Sequence, residues 1–340
     1  MLRRLASGLV RSAAGAGRCG AAALDRPWDR PAVTVGAVSS LGGVRYASLK
    51  AVRNRMRSVA SIGKITKAMK MVAAAKLRGV QARQDISRPF ANSVRQFFAL
   101  LGEQEKPEQK DKMSAGAAGE EAKRRLIVAV TSDRGLCGGV NSNVVRAIRQ
   151  TLPHDGSDRT ADGYRNAVML VGDKGRDALQ RTSANLFVVS FRDVFKTPVS
   201  FAQVTLIAEE IMAGAYDEVM LVYNRFKSAI SQITTRQTLV GLSDLMEHAS
   251  VFDGYEFDSD MDSSQVMVDL FEYELATQLY GALLENSTSE QAARMSAMDS
   301  ASSNAAEMLS KLTLQYNRER QAVITTELVE IVAGASAVEK

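Results

Sequence analysis

Cysteine, histidine, tryptophan and proline are scarce in this sequence, with two Cys, two His, one Trp and six Pro among 340 residues. Two cysteines cannot build the disulfide framework of a small secreted domain. Two histidines are too few for a typical zinc site. No uninterrupted apolar run approaches the roughly 18 residues of a membrane-spanning helix. These absences exclude a disulfide scaffold, argue against a metal site and favour a soluble or peripheral protein.

Excess positive charge is confined to the beginning of the chain. Residues 1–46 contain seven Arg and two Asp, an excess equal to the formal net charge of +5 of the whole chain. The remainder is neutral, so net charge gives no reason to expect nucleic-acid binding. The first 46 residues are rich in Arg, Ala and Ser, which is typical of a mitochondrial presequence, and we expect cleavage after Tyr46. A disordered basic tail is the alternative.

Both ends of the remaining chain have the pattern of long helices. No proline occurs between Pro31 and Pro89, and none follows Pro198. Gly281 is the only glycine between Ser264 and Ala333, so one helix of about 70 residues and ~105 Å is possible. The first helix is basic and the second is acidic. Opposite charges favour pairing of two helices and set their orientation.

Apolar residues in the first helix recur at steps of three or four, and this stripe predicts the face that packs against a partner helix. The stripe consists of Val52, Met56, Val59, Ile62, Ile65, Met69 and Val72. Its steps do not form a regular heptad, so we expect a broad antiparallel pair rather than a leucine zipper.

Between the two helices, short runs of Val, Ile and Leu alternate with helical patterns. The predicted strands are residues 126–131, 167–171, 185–190 and 217–223, and the predicted helices are residues 140–152, 173–182 and 200–215. This alternation predicts a mostly parallel sheet with crossover helices. Residues 230–239 alternate between apolar and polar and predict an antiparallel edge strand.

The most enzyme-like stretch is Thr131–Asn141, a glycine-rich segment between a predicted strand and a predicted helix. Phosphates bind at such positions in α/β folds. The stretch matches neither common glycine-rich phosphate motif. Cys137 has no histidine near it in sequence to act as a base, so a tight turn with a semi-buried thiol is expected. Asp133 and Arg134 are expected to form a local turn pair.

Three long motifs resemble the gamma subunits of F-type ATP synthases. They are Lys64–Leu77, the Thr131–Asn141 stretch and Tyr316–Ala335, and Asp217–Phe226 fits the same family. The resemblance covers residues 47–340 in family order.

This resemblance implies the fold class α/β, with a long antiparallel coiled coil of the N- and C-terminal helices and a Rossmann-like domain with a mostly parallel sheet. The expected segments are a presequence at 1–46, a coiled-coil helix at 47–101, a charged linker at 102–125, the α/β domain at 126–252, a loop at 253–263 and a coiled-coil helix at 264–340.

The resemblance also implies a function. Such a subunit is the central rotor shaft of the synthase and couples proton-driven rotation of a membrane ring to ATP synthesis by the alpha and beta subunits. The implied partners are these two subunits, delta- or epsilon-type stalk subunits and the c-ring. No catalytic residue, cofactor, metal or nucleic acid is expected. The implied location is the matrix side of the mitochondrial inner membrane, as a peripheral protein.

The family motifs imply two groups of partner-contact residues. Arg320 and Gln321 match positions that contact acidic loops of the catalytic subunits, and Thr325 and Glu327 lie nearby on the same helix. Glu327 could instead pair within the coiled coil.

The second group faces the carboxylate-rich lever of the beta subunit and consists of Met69, Lys67 and Lys70. Met69 also fits the apolar stripe, and the two lysines could be a solvated face. Two other functions remain open at this point: a nucleotide-dependent enzyme that uses the glycine loop, and a static coiled-coil tether with a nucleotide-binding α/β domain.

Overall fold

The computed structural model describes residues 49–103, 123–153, 158, 163–214, 216–247 and 262–338. The expected presequence lies outside these residues, as do most of the charged linker and of the loop at 253–263.

Two long helices enclose an alternating α/β segment along the chain. The elements are α1 (Leu49–Glu103), β1 (Arg124–Val130), α2 (Val140–Thr151), β2 (Arg165–Val171), α3 (Asp173–Ser183), β3 (Phe187–Phe191), α4 (Phe201–Met212), β4 (Glu218–Phe226), β5 (Gln232–Val240), α5 (Leu242–Glu247) and α6 (Ser263–Val338). A short 3₁₀ turn, Ala184–Leu186, precedes β3. The C-terminal helix has 76 residues, slightly more than the expected length.

The five strands form one sheet in the order β3-β2-β1-β4-β5. The first four are parallel, and β5 pairs with β4 in the antiparallel direction. Central β1 is buried along its length after Arg124, as its continuous apolar sequence requires when both faces of a parallel sheet are covered. The predicted sheet and edge strand are therefore confirmed, with β1 and β2 each starting two residues earlier than expected.

Each face of the sheet has its own apolar core. On one face, Ile127 and Ala129 pack with Ile148 of α2 and Leu179 of α3. On the other face, α4 and the first half of α6 cover the sheet, with buried side chains that include Val128, Ile207, Leu275, Leu279 and Leu283. The C-terminal helix is thus part of the core of the α/β domain.

The chain divides into two compact units, and the boundaries fall inside the two long helices. Among the described residues, the first unit comprises 67–300 and contains the sheet. The second comprises residues 49–66 and 301–338.

In the second unit, the two helices pack along a seam that repeats at steps of four and three. Its members in α1 are Val52, Met56, Val59, Gly63 and Thr66, and in α6 they are Ala305, Leu309, Leu312, Tyr316, Glu319 and Val323, all buried or half-buried. The seam has heptad spacing, but with Gly63, Thr66 and Glu319 among its members it is not a leucine zipper. The apolar stripe was partly wrong, because Ile62, Ile65 and Val72 are 52%, 58% and 57% exposed. Gly63 and Thr66 occupy seam positions in place of the larger Ile62 and Ile65, which were expected there.

In the first unit, contacts between α1 and α6 show that these helices run antiparallel. Lys70 Nζ lies 2.6 Å from Asp299 Oδ1, and Arg88 Nε donates to Glu285 Oε1 at 3.0 Å. A Cβ atom added at Gly281 would lie 3.1 Å from the Cβ of Ala91. The α1 residue number rises as that of its α6 partner falls, as the predicted antiparallel pairing requires.

Candidate functional site

The glycine-rich loop after β1 is the first candidate site. Backbone N–H groups at such a loop bind phosphate only when they are free. Here the N–H of Ser132 donates to Asn141 Oδ1 at 3.0 Å, and Asn141 Nδ2 donates to Ser132 Oγ at 2.8 Å. Thr131 Oγ1 accepts the N–H of Gly175 at 3.0 Å. A loop side chain therefore occupies the N–H of Ser132, and Thr131 ties the loop to the first turn of α3.

Helix α6 also seals this loop. Arg294 Nη2 donates to the carbonyl oxygen of Gly135 at 3.3 Å and to Glu290 Oε1 at 2.5 Å. Burial raises the pKa of Glu290, and the neighbouring guanidinium opposes that shift. Cys137 packs with Val140 and with Ala293 of α6. The loop thus docks a long helix onto the carboxyl end of β1.

The chemistry of Cys137 agrees with a structural role. Its side chain is 2% exposed, and burial raises the pKa of the thiol. Asn141 Nδ2 donates to its sulfur at 3.3 Å. A thiol with a raised pKa is a poor nucleophile at neutral pH. Within the described part of the chain, no group of three or more Cys, His, Asp or Glu could hold a metal ion.

The expected local pair of Asp133 and Arg134 is not what the structure contains. Asp133 Oδ2 instead accepts the backbone N–H of Phe195 at 3.2 Å, across the loop that follows β3. Burial raises the pKa of this carboxyl, and backbone hydrogen bonds oppose the shift. Arg134 is exposed. Sequence proximity missed this contact because it joins two loops that only the parallel sheet brings together.

A second polar cluster anchors α6 to β4. Asn224 Nδ2 donates to Asn286 Oδ1 at 3.0 Å and to the carbonyl oxygen of Val140 at 3.3 Å. Ser289 Oγ donates to the carbonyl oxygen of Asn224 at 3.0 Å. These side chains are buried, and their hydrogen bonds fix the position of α6 against the sheet, although Asn286 Nδ2 has no partner among the described residues.

The residues expected at the C-terminal tip lie on the surface of the second unit. Arg320, Gln321, Thr325 and Glu327 are all exposed. Thr325 Oγ1 donates to the carbonyl oxygen of Gln321 at 2.9 Å, a bond within the helix. Glu327 forms no ion pair with any described residue, so the alternative of pairing within the coil has no support in this part of the chain.

Exposed apolar side chains follow these polar residues along α6. Leu328, Val329, Ile331 and Val332 are between 56% and 67% exposed. A continuous apolar surface of this kind marks an interaction site in a soluble protein.

The residues expected to face a partner's lever lie in the first unit. Lys67 is exposed, and it has no hydrogen-bond or ion-pair partner among the described residues. Lys70 is half-exposed and pairs with Asp299. Met69 is half-buried, between a core position and a surface position. The three residues therefore lie close together on α1, but only Lys67 is both exposed and without a partner among the described residues.

Sequence reasoning missed two surface residues beside this group. Met71 and Val72 are 61% and 57% exposed, although their side chains are apolar. Val72 belongs to the predicted packing stripe. The buried positions of this part of α1 are Ala73, Leu77 and Gln84, at steps of four and seven, and this spacing places Met71 and Val72 off the buried face.

One stretch of α6 is long and apolar enough to cross a membrane by length and composition alone. Within Ser264–Val338 an 18-residue window has mean hydropathy 1.3, and none of it is buried. Isolated polar residues interrupt this window, so it contains no uninterrupted apolar run of membrane-spanning length. The same helix also forms part of the core of the α/β domain, so the window is weak support for a membrane span.

The fold defines a class of protein: an α/β domain between two long helices, whose glycine-rich loop holds the C-terminal one. A family model described as ATP synthase matches residues 48–338. The chain is 39% identical over 307 residues to the mitochondrial ATP synthase subunit gamma of Ipomoea batatas, covering 88% of each chain. It is 39% identical over 297 residues to the gamma subunit of the mitochondrial ATP synthase F(1) complex of Rattus norvegicus, covering 86% of this chain and 100% of the relative.

A solved structure agrees with these sequences. The central stalk and c-ring of the mitochondrial ATP synthase of Tetrahymena thermophila contains a chain that is 32% identical, with a TM-score of 0.56. The match covers 70% of this chain and 99% of that chain. The chain belongs to the gamma-subunit family of ATP synthases. It is a central-stalk subunit of the mitochondrial enzyme, as the resemblance implied.

Proposed function

We propose that this chain is the rotating shaft of its synthase and has no catalytic site of its own. It transmits proton-driven rotation of the membrane c-ring to the catalytic head, where alpha and beta subunits make ATP. The observation that carries the proposal is the glycine loop, where Asn141 accepts the N–H of Ser132 and Arg294 of α6 donates to the carbonyl oxygen of Gly135. Within the described chain, the loop that most resembles a phosphate-binding turn thus holds helix α6.

The exposed residues of α6 support contact with the head. Arg320 carries a charge that no described residue neutralises, and a guanidinium binds carboxylates in a bidentate way. We propose that Arg320 and Gln321, with Thr325 and Glu327 beside them, contact acidic loops of the catalytic subunits. The exposed apolar residues beyond them suit a surrounding collar, since apolar contacts without fixed ion pairs let two surfaces slide.

The basic residues of α1 support a second contact. Lys67 and Lys70 are within one turn of each other, and we propose that they and Met69 face the acidic lever of the beta subunit. Lys67 carries most of this proposal because Lys70 is already paired with Asp299.

The remaining partners and the location follow from the same role. We propose contacts of the α/β domain with delta- or epsilon-type stalk subunits and with the c-ring, on the matrix side of the inner membrane. We also propose that residues 1–46 are a presequence and that the chain has the segments predicted from the sequence, with β1 beginning at Arg124 and α6 at Ser263. Mass spectrometry of the native protein should find a start near Ala47, and an intact Met1 in the matrix would contradict the presequence.

A reversible cross-link distinguishes a rotor from a static tether. Lys67→Cys and Lys70→Cys would each be oxidised to a cysteine placed in the beta-subunit lever of the assembled enzyme. Lys67→Cys is the better variant because it leaves the pair between Lys70 and Asp299 intact. We expect ATP turnover to stop on oxidation and to return with reductant, because the shaft must turn in every cycle.

The control is the same Cys variant without the cysteine in the beta subunit, treated with the same oxidant. Native Cys137 is buried, so it should not compete for the cross-link. If quantitatively cross-linked enzyme kept its multi-turnover rate, the rotor function would be wrong although the family would stand.

A further inference from the structure

A cavity of about 490 Å³ lies between α1, α6 and the hairpin of β4 and β5, entirely within the unit that contains the sheet. Its walls include Gln84 and Arg88 of α1, Glu285 of α6 and Arg225 of β4. It is separate from the glycine loop and from the exposed contact residues described above. The volume is within the range of small-molecule sites, about 300 to 1,000 Å³.

Cations outnumber acids in this wall. Arg88, Arg95, Arg225 and Lys227 line the cavity together with a single carboxylate, Glu285. That carboxylate is already engaged, because it accepts Arg88 Nε at 3.0 Å and the backbone N–H of Phe226 at 2.6 Å. Within the described ranges, Arg225 and Lys227 are exposed and have no ion-pair partner. The cavity therefore has uncompensated positive charge.

A buried amide on the wall is also unpartnered. Gln84 is 1% exposed, and neither its Nε2 nor its Oε1 has a hydrogen-bond partner in the described structure. Leaving a buried amide unsatisfied costs free energy, so Gln84 can gain from a polar group bound in the cavity. The neighbouring polar side chains are engaged: Tyr223 donates to Gln237 Oε1 at 3.1 Å, and Gln237 Nε2 donates to Gln278 Oε1 at 2.8 Å.

From this combination we propose that the cavity binds a small polyphosphate, either inorganic or part of a nucleotide. Arginine forks match phosphate oxygens, and several guanidinium groups around one concave space favour a compact polyanion. A compact polyanion fits a concave volume of about 490 Å³, whereas an acidic segment of a partner protein would also need room for its backbone. This proposal does not depend on rotation of the chain. It adds a small-molecule ligand to the partner subunits proposed above.

Isothermal titration of the full chain with pyrophosphate tests the site, and titration with ATP distinguishes a nucleotide from an inorganic source. The double variant Arg225→Gln, Lys227→Gln removes the two unpaired cations. We expect saturable binding of pyrophosphate to the parent chain and a loss of affinity of about tenfold or more in the double variant. The matched control is Arg134→Gln, Lys196→Gln, which removes the same charge from the glycine loop and from another exposed position. The control should bind as the parent does.

A second variant tests the buried amide without changing charge. Gln84→Met keeps the size and helix propensity of the side chain but removes its polar atoms. We expect a severalfold loss of pyrophosphate affinity with no loss of thermal stability, because the replaced amide has no partner in the protein. Absence of saturable binding to the parent chain overturns the proposal. An equal loss of affinity in the cavity variant and the control also overturns it, because it would show attraction to net charge only.

Discussion

Arg294 of α6 donates a hydrogen bond to the carbonyl oxygen of Gly135 at 3.3 Å, and the same guanidinium pairs with Glu290 one turn earlier. The side chains of Arg294 and Glu290 are 12% and 5% exposed. One residue of the long helix thereby closes the glycine loop and compensates a buried carboxylate. The loop after β1, where other α/β proteins bind phosphate, holds helix α6 in this protein.

Arg294→Met should destabilise the chain at pH 8 by about 3 to 5 kcal/mol, because it leaves Glu290 buried without its cation. Urea unfolding measured by circular dichroism gives the change in free energy. Lys311→Met is the control, since the ion pair of Lys311 with Glu307 is exposed and its loss should not move the unfolding midpoint. Equal midpoints for both variants would contradict a structural role for Arg294.

Gly172→Ala should destabilise the α/β domain by roughly 1 to 3 kcal/mol. Gly172 has φ of 96°, and a Cβ atom there would lie 2.6 Å from the carbonyl oxygen of Thr131. Gly79→Ala is a matched control in an exposed part of α1, where a Cβ meets nothing within 4 Å. That change should stabilise the chain by about 0.5 to 1 kcal/mol. Thermal unfolding of both variants measures the contrast, and a shift of the same sign in both would refute it.

Stability should fall as pH rises from about 4.5 towards 8, and Glu274 should account for part of that fall. Burial raises the pKa of Glu274 to about 8 in the folded chain, against 4.5 as the ordinary value. Between these values the unfolded chain has lost the proton and the folded chain has kept it, so unfolding becomes easier as pH rises.

Glu274→Gln removes this dependence and should stabilise the chain at pH 8 by on the order of a few kcal/mol. Denaturant unfolding between pH 4.5 and 8.5 provides the test. Because Glu290 and Asp133 also have raised pKa values, the informative quantity is the difference between parent and variant. Parallel pH profiles would exclude Glu274 as the source.

Arg320→Ala should reduce ATP synthesis in the assembled enzyme more than it reduces folding of the chain. The exposed guanidinium makes no described contact whose loss would unfold the helix, whereas a charged hydrogen bond across an interface contributes about 1.5 to 3 kcal/mol. Synthesis rate and unfolding midpoint are measured for the same variant, with Lys311→Ala as an exposed control on α6. An unchanged synthesis rate would remove Arg320 from the contact residues.

The strands were predictable because a buried parallel strand needs an apolar run at every position. Leu126 to Val130 has this pattern, and all five residues are fully buried. The long helices were also predictable, because proline and glycine are nearly absent from α6 over its 76 residues. Pairing of distant residues was not predictable in the same way. Asp133 bonds to Phe195 rather than to Arg134, since strand order decides which loops meet.

The proposed contact residues were predicted from motifs, whereas their exposure could be read only from the structure. Arg320 and Lys67 are available to a partner, while Lys70 is shared with Asp299. The identity of a side chain does not reveal whether a neighbouring helix already satisfies its charge.

By itself, the sequence determined which segments are helices and strands, and its motifs determined the family. Those properties depend on local periodicity and on residue types at fixed spacing. A single segment of the chain contains all of that information. Only the tertiary structure decided which face of α1 is buried: Gly63 and Thr66 lie in the seam, and the larger Ile62 and Ile65 face outwards. Packing favours the residues whose shapes fit between two particular helices, and hydrophobicity alone does not specify that fit.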